Sequence, residues 1–231
     1  MTKIYSYVLR YDDGAAPNPF WGACTLAICK PVIRRTAQPG DWVIGTGSKN
    51  ARCNDRVFHD LSDKLVYAMK VTKVLSLAEY DRYCQVHLPH KIPTLASNDW
   101  RIRMGDCIYA YGASEQPTIR PGVHGEGNRQ RDLGGLNVLL SDHFYYFGEA
   151  AVPLPTALLP LRQPTQGHRI IENTALVEKF EAWLQGFGLN TLSGEPQLKH
   201  LFDRPHPKDA FSACAVCHLE EDGAEQVEVV C

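Results

Sequence analysis

Residues 37–48 read AQPGDWVIGTGS, and the fold turns on how this stretch is read. Pro39 and Gly40 set a tight turn at Asp41, and the residues behind it are β-branched and aromatic until glycine returns, the composition of a turn feeding a strand. Residues 101–112, RIRMGDCIYAYG, repeat the pattern with a second Gly-Asp pair ahead of a second apolar run. Two such strands predict a curved sheet or a small barrel.

Outward from this pair, residues 3–11 (KIYSYVLRY) alternate and are rich in strand formers, which predicts a first strand, centrally paired and stopped by Asp12-Asp13-Gly14. Residues 22–30 (GACTLAICK) suit a buried strand or short helix ended by Pro31, and residues 33–37 read as an extended lead into the first Gly-Asp strand. Residues 64–75 (KLVYAMKVTKVL) predict one long strand. Ser76 with Glu79 has the capping-box spacing of a short helix reaching about residue 85. A Gly- and Arg-rich loop is expected over residues 117–135. Residues 136–148 (LNVLLSDHFYYFG) then read as strand interrupted at Ser141-Asp142. Four prolines, at 153, 155, 160 and 164, predict a stiff extended connection over residues 150–165. Asn173 can cap a helix running to Gly186, whose Leu176, Val177, Phe180, Trp183 and Leu184 share one face and belong in a core. Strands first, short helices inserted and a helix late describe an α+β protein with a strongly curved mixed or antiparallel sheet, not a regular βαβ repeat. One domain over residues 1–205 is expected, followed by a tail, 206–231.

The 231 residues and 44% apolar fraction suffice for a well-filled core. Against 26 acidic residues stand 24 basic ones, a net charge of -2, which argues against attachment to nucleic acid mainly by phosphate neutralisation. The charge is uneven. Residues 219–231 hold five acids and no Lys or Arg, so residues 1–218 set 24 basic against 21 acidic residues, a net +3 compatible with a local anion-binding face. Eight scattered cysteines and no secretory signal at Met1-Thr2-Lys3 lead to the expectation of a reduced, cytoplasmic setting. No apolar window is long enough to predict a membrane span.

Several constellations can carry chemistry. In Pro17-Asn18-Pro19-Phe20-Trp21 a rigid loop holds a carboxamide and two rings, groups that suit a nucleobase pocket as well as they suit a turn capping the core. Arg34 and Arg35 precede the first Gly-Asp turn and are candidates for phosphate contacts, although neighbours on a strand face opposite ways. Thr46 and Ser48 in Gly45-Thr46-Gly47-Ser48 offer hydroxyls on a permissive backbone. Neither Gly-x-x-x-x-Gly-Lys-Ser/Thr nor Gly-x-Gly-x-x-Gly occurs, so no nucleotide cofactor is specified. Ser141-Asp142-His143 cannot itself be a triad because adjacent side chains diverge. His168 and Arg169 are the better candidates for an anion or base, with a structural histidine as the competing account. Cys214-x-x-Cys217-His218 has zinc-like spacing, with Cys231 or His206 as further ligands, but free thiols are the preferred account.

Together, KIYSYVLRYDDGAAPNPFWGACTLAICKP, IRRTAQPGDWVIGTGS, KLVYAMKV, GDCIYAYG, NVLLSDHFYYFG and GHR, in this order, resemble the nucleotide modification associated domain 2 family over most of residues 3–185. The resemblance implies a part in bacterial or phage systems that modify DNA bases or respond to such modification, and supplies no defined reaction. A Gly-Asp turn opening a strand, then a strand and a short helix, is also similar to the PUA-like superfamily with its EVE and YTH branches. That likeness implies a small barrel holding a flipped base in an aromatic pocket.

The leading expectation is therefore a PUA-like sheet that binds a modified nucleotide or base in DNA, in a DNA-modification or phage-defence setting. Asn18, Phe20 and Trp21 are assigned to the base, and Arg34, Arg35, His168 and Arg169 to phosphate. Other DNA-modification proteins are the expected partners. One rival is a base or nucleotide transferase, or a glycosidase-like enzyme, using Asp41, Asp142, His143 or His168 as acid or base. Another is a protein-interaction subunit docking through its acidic end.

Overall fold

Alternation at the N-terminus forms a strand as expected. In a computed structural model, which describes residues 1–113, 116–203 and 227–230, β1 is Ile4–Leu9 and β2 is Cys24–Leu26, and a short helix, α1 (Pro31–Thr36), leads to β3 (Trp42–Gly47). A hairpin of β4 (Ala51–Arg52) and β5 (Phe58–His59) precedes β6 (Lys64–Lys70), β7 (Lys73–Ser76) and α2 (Leu77–His87). Then come α3 (Trp100–Arg103), β8 (Tyr109–Ala110), β9 (Thr118–Ile119) and α4 (Arg129–Gly134). Strands β10 (Asn137–Ser141), β11 (Phe144–Tyr146), β12 (Val152–Pro153) and β13 (His168–Ile171) lead to α5 (Thr174–Leu184). The short elements β14 (Thr191–Leu192), α6 (Lys199–Phe202) and β15 (Val227–Val230) follow.

The main sheet runs β14-β11-β6-β3-β1-β13-β15, with β12 beside β6. β1 and β3 are parallel, in register from Ile4 with Trp42 to Leu9 with Gly47, while β6 runs antiparallel to β3 and β13 antiparallel to β1. This is a mixed α+β fold. The order ends at β14 on one side and β15 on the other, so the sheet stays open and the expected small barrel does not close. A second sheet, β2-β10-β7, accompanies it.

Side-chain alternation gives the main sheet two apolar faces. Ile4, Trp42, Ile44 and Leu65 pack with Val177, Phe180 and Leu184 of α5 and with Leu158 and Leu161 of the 3-10 turn Thr156–Leu161. Tyr5, Tyr7, Leu9 and Val43 face the larger core, which holds Leu26, Leu139 and Tyr80. Gly45 is required in β3 because a Cβ there would lie 2.6 Å from the Tyr67 ring. Gly47 is required because a Cβ would collide with the backbone of Leu61.

Several expectations need correction. Residues 33–37 are mostly helical, so Arg34 and Arg35 sit on α1 and not on a strand. Residues 64–75 break after Lys70: Val71 still bonds to Asp41, but Thr72 N–H donates to Leu140, so the chain changes sheets there. Residues 101–112 do not repeat the first Gly-Asp strand. Asp106 accepts hydrogen bonds from Thr25 Oγ1 at 2.5 Å and Tyr80 OH at 2.7 Å, which draws the chain into the core and leaves only Tyr109–Ala110 as strand. The expected loop at 117–135 contains β9 and α4, and the proline-rich connection contains a 3-10 turn. The helix caps occur as read: Ser76 and Glu79 form a capping box, and Asn173 accepts from Leu176 N–H. Among the described residues no helix is long and apolar enough to cross a membrane.

Candidate functional site

The carboxyl ends of parallel strands in open sheets leave a crevice between the loops that follow them, a usual place for ligands. Here β1 runs into Arg10, and β3 into Ser48 and Lys49, and between them lies a cavity of about 490 Å³. Its cations are Arg10, Lys30, Lys49 and Arg162. Lys30 is buried, its ammonium 4.8 Å from the centre of the Tyr7 ring. Arg162 pairs with Asp63. Asp60 is the lining acid, and hydrogen bonds from the Ser62 hydroxyl and backbone hold its carboxyl below the usual carboxylate range. Four cations against these two acids leave the basin positive.

Neutral groups complete it. Ser48, Ser62 and Thr165 bring hydroxyls, and Gln163 and Gln166 bring amides. Gln163 is buried; its nitrogen reaches Thr165 Oγ1 at 3.5 Å, while its oxygen has no hydrogen-bond partner among the described residues. A buried acceptor left unpaired is costly, so an unfilled one beside a cavity points to a donor on a ligand.

A second hollow, of about 370 Å³, shares Arg10 and Ser48 with the first and adds Tyr11, Asn50, Arg52 and Phe58. Phe58 is 62% exposed on the β4–β5 hairpin, with the Arg52 guanidinium 5.5 Å from its ring centre. Arg10 stands 5.5 Å from the Tyr11 ring centre. Exposed rings with guanidinium neighbours form a surface on which flat heterocycles stack.

The residues nominated from sequence fall in several places. Asn18 is fully buried: its Nδ2 donates to the Met104 carbonyl at 3.0 Å and its Oδ1 accepts from Lys91 at 2.7 Å. Phe20 packs edge-on against Trp100 at 5.3 Å and borders a different hollow, with Arg101 and Glu149. Trp21 lies between His90 and Arg101, whose groups are 4.7 and 4.8 Å from its ring. Arg34 is buried and donates to the carbonyls of Cys29, Asn137 and Asp132, whereas the exposed Arg35 donates to Gly134. Asp41 is a turn acceptor for Lys3 and Gln38 N–H. Thr46 is buried and donates to the Tyr7 carbonyl at 3.3 Å. Asp142 is exposed, and the half-buried His143 ring stands edge-on to Trp42 at 5.4 Å. Ser48 alone of these residues lines the basin.

His168 adjoins the basin through Gly167 but is itself buried, with neither ring nitrogen hydrogen-bonded among the described residues. Burial, helped by the charge of Lys30, pushes its pKa down to about 4. Arg169 faces the other side of β13 and donates to the Pro160 carbonyl at 3.3 Å. Cys214 and Cys217 lie outside the described residues, among which no His, Cys, Asp and Glu cluster could hold a metal ion.

Sequence reading passed over Arg10, Lys49, Arg162 and Phe58, which belong to no motif. The available signal was positional: Arg10 is the penultimate residue of one predicted strand, and Lys49 comes directly after another. A family model described as nucleotide modification associated domain 2 matches residues 1–203. No curated protein and no solved structure matches the chain.

Proposed function

Since the chain belongs to the nucleotide modification associated domain 2 family, we propose that the basin between β1 and β3 binds the phosphate of a nucleotide unit and that the adjoining aromatic ledge takes its base. The observation that carries this reading is the meeting of Arg10, Lys30, Lys49 and Arg162, from four separate segments, at the carboxyl ends of two parallel strands. Cations from distant segments repel one another, and an anion between them offsets that repulsion. The overall charge of -2 makes the attraction local, which suits one or a few nucleotides better than a long duplex track.

Phe58 and Tyr11 supply stacking surface, and Asn50 and Gln163 supply hydrogen-bonding groups for base edges or sugar hydroxyls. In this reading the natural ligand is a modified base in DNA, held within a system that modifies bases or responds to modified ones.

The test is a titration of a fluorescent deoxynucleoside monophosphate and of short single-stranded and duplex DNA, each with and without a modified base, against wild type and Lys49→Ala. Saturable binding weakened by Lys49→Ala is expected. Binding of the monophosphate alone identifies free nucleotide as ligand, and binding of the DNA alone identifies the polymer. Affinity unchanged in Lys49→Ala overturns the basin, and equal affinity for modified and unmodified bases overturns the modified-base reading.

A further inference from the structure

Away from the basin, the fold brings a thiol, an imidazole and a carboxylate into line. Cys29 Sγ lies 3.6 Å from His124 Nε2, and His124 Nδ1 lies 2.6 Å from Asp132 Oδ2. Cys29 comes from the segment after β2, and His124 and Asp132 from the loop after β9 and helix α4, about a hundred residues later. Asp132 is fixed in turn: its carboxylate accepts Cys29 N–H at 3.1 Å and the Tyr109 hydroxyl at 2.8 Å. Arg34 ties the Cys29 and Asp132 carbonyls together at 2.7 and 2.5 Å. The order of contacts is that of a nucleophile, the base that deprotonates it and the carboxylate that orients the base.

The backbone at the thiol is unusual. Cys29 and Lys30 have φ values of 58° and 42°, two consecutive left-handed residues that both carry side chains. This turn gives the Cys29 thiol to His124 while the Lys30 ammonium lines the nucleotide basin. A cysteine buried for packing alone needs no ionisable neighbour. Cys29 and His124 retain 3% and 4% of their surface, and Cys24 and Cys84 none.

We propose that Cys29 is a catalytic nucleophile and His124 its general base and acid, with Asp132 as the positioning residue, at a site that takes acyl donors: esters, thioesters or amides. Beside protonated His124 the Cys29 sulfur reacts as the thiolate, its electron pair forming a C–S bond to the carbonyl carbon while the proton stays on His124 Nε2. The tetrahedral adduct collapses, the bond to the leaving oxygen, sulfur or nitrogen breaks, and His124 returns the proton to the leaving group. Water, giving a proton to the now neutral His124, then attacks the thioester; the C–S bond breaks, the acid departs and the Cys29 thiolate is left beside protonated His124. Asp132 holds Nδ1–H throughout, so that Nε2 faces the sulfur.

The full chain should be treated with p-nitrophenyl acetate, an activated acetyl ester, and the acetylated residues located by peptide mass spectrometry. Cys29 is expected to be acetylated about a hundredfold faster than Cys24 or Cys84, with a burst of p-nitrophenolate. His124→Gln should lower the Cys29 rate by about a hundredfold with the circular dichroism unchanged, and Cys29→Ser should abolish the burst. If Cys29 carries no acetyl group, or reacts as fast in a folded His124→Gln, the proposal is overturned. Should His124→Gln not fold, the wild-type pH profile decides: a Cys29 rate already high near pH 6 supports the paired thiol, and one rising only near pH 8.5, as for an ordinary thiol, overturns it.

Discussion

Lys91 Nζ lies 2.7 Å from both the backbone oxygen and the side-chain oxygen of Asn18. The same buried ammonium reaches the Ala23 carbonyl and Thr25 Oγ1, each at 2.9 Å. Burial lowers its pKa, and the nearby charge of Asp106 opposes that shift. The loop containing Asn18 is therefore tied inward by a cation. Lys91→Met should leave these acceptors and Asp106 dry and uncompensated, at a cost of about 3–5 kcal/mol. Urea denaturation measures this, and a midpoint close to wild type would show that the network does not hold the loop.

Two buried histidines should give opposite pH signatures. His168, with a folded pKa of about 4 against about 6.5 unfolded, contributes stability that is present above pH 6.5 and lost as pH falls toward 4. In His124 burial opposes protonation, yet the charge of Asp132 prevails and raises the pKa to about 9. Its contribution is present below pH 6.5 and lost as pH rises through 9. His168→Phe should shrink the stability lost between pH 7.5 and pH 5 by about 2 kcal/mol. Denaturation curves of both proteins at the two pH values provide the check.

In the basin, Arg10→Ala and Lys49→Ala should each weaken nucleotide binding by about tenfold and reduce its salt dependence, since each removes one phosphate contact. Phe58→Ala should weaken binding by about 1–3 kcal/mol with the salt dependence intact, because stacking carries no charge. Titrations at two ionic strengths separate the two effects. Identical salt slopes in all three variants would contradict the division of labour.

Gly45→Ala should destabilise by about 1–3 kcal/mol through overpacking. The new methyl would press on the Tyr67 ring, whose hydroxyl is anchored 2.9 Å from that of Tyr7. Gly127→Ala, where a Cβ would meet nothing within 4 Å, should change stability by no more than about 0.5 kcal/mol. Thermal melts of the pair provide a comparison of like substitutions.

Much of the fold was legible where local rules operate. Alternation over residues 4–9 and the β-branched and aromatic run behind the turn at Asp41 marked the two central strands, and Ser76 with Glu79 and Asn173 marked two helix starts, because these signals lie within one or two turns of chain. The break after Lys70 was not legible, since it arises from a partner change to Leu140 that no local spacing encodes. The two Gly-Asp pairs look alike as text, yet Asp41 caps a turn while Asp106 bonds to Thr25 and Tyr80 in the core. The candidate site was less legible. Arg34 and Asn18 have the right chemistry for a ligand, but the fold commits them to carbonyls and to Lys91.

By itself the sequence determined the α+β class, the family and two of the central strands, since period, capping and motif order are properties of neighbouring residues. Only the tertiary structure decided that Arg10, Lys49 and Arg162 share a basin with Ser48, and that Cys29, His124 and Asp132 stand in line. The physical reason is that a site forms where segments distant in the chain end at the same place. Strand pairing and core packing fix that meeting point, and neither is encoded in the spacing of the residues that meet.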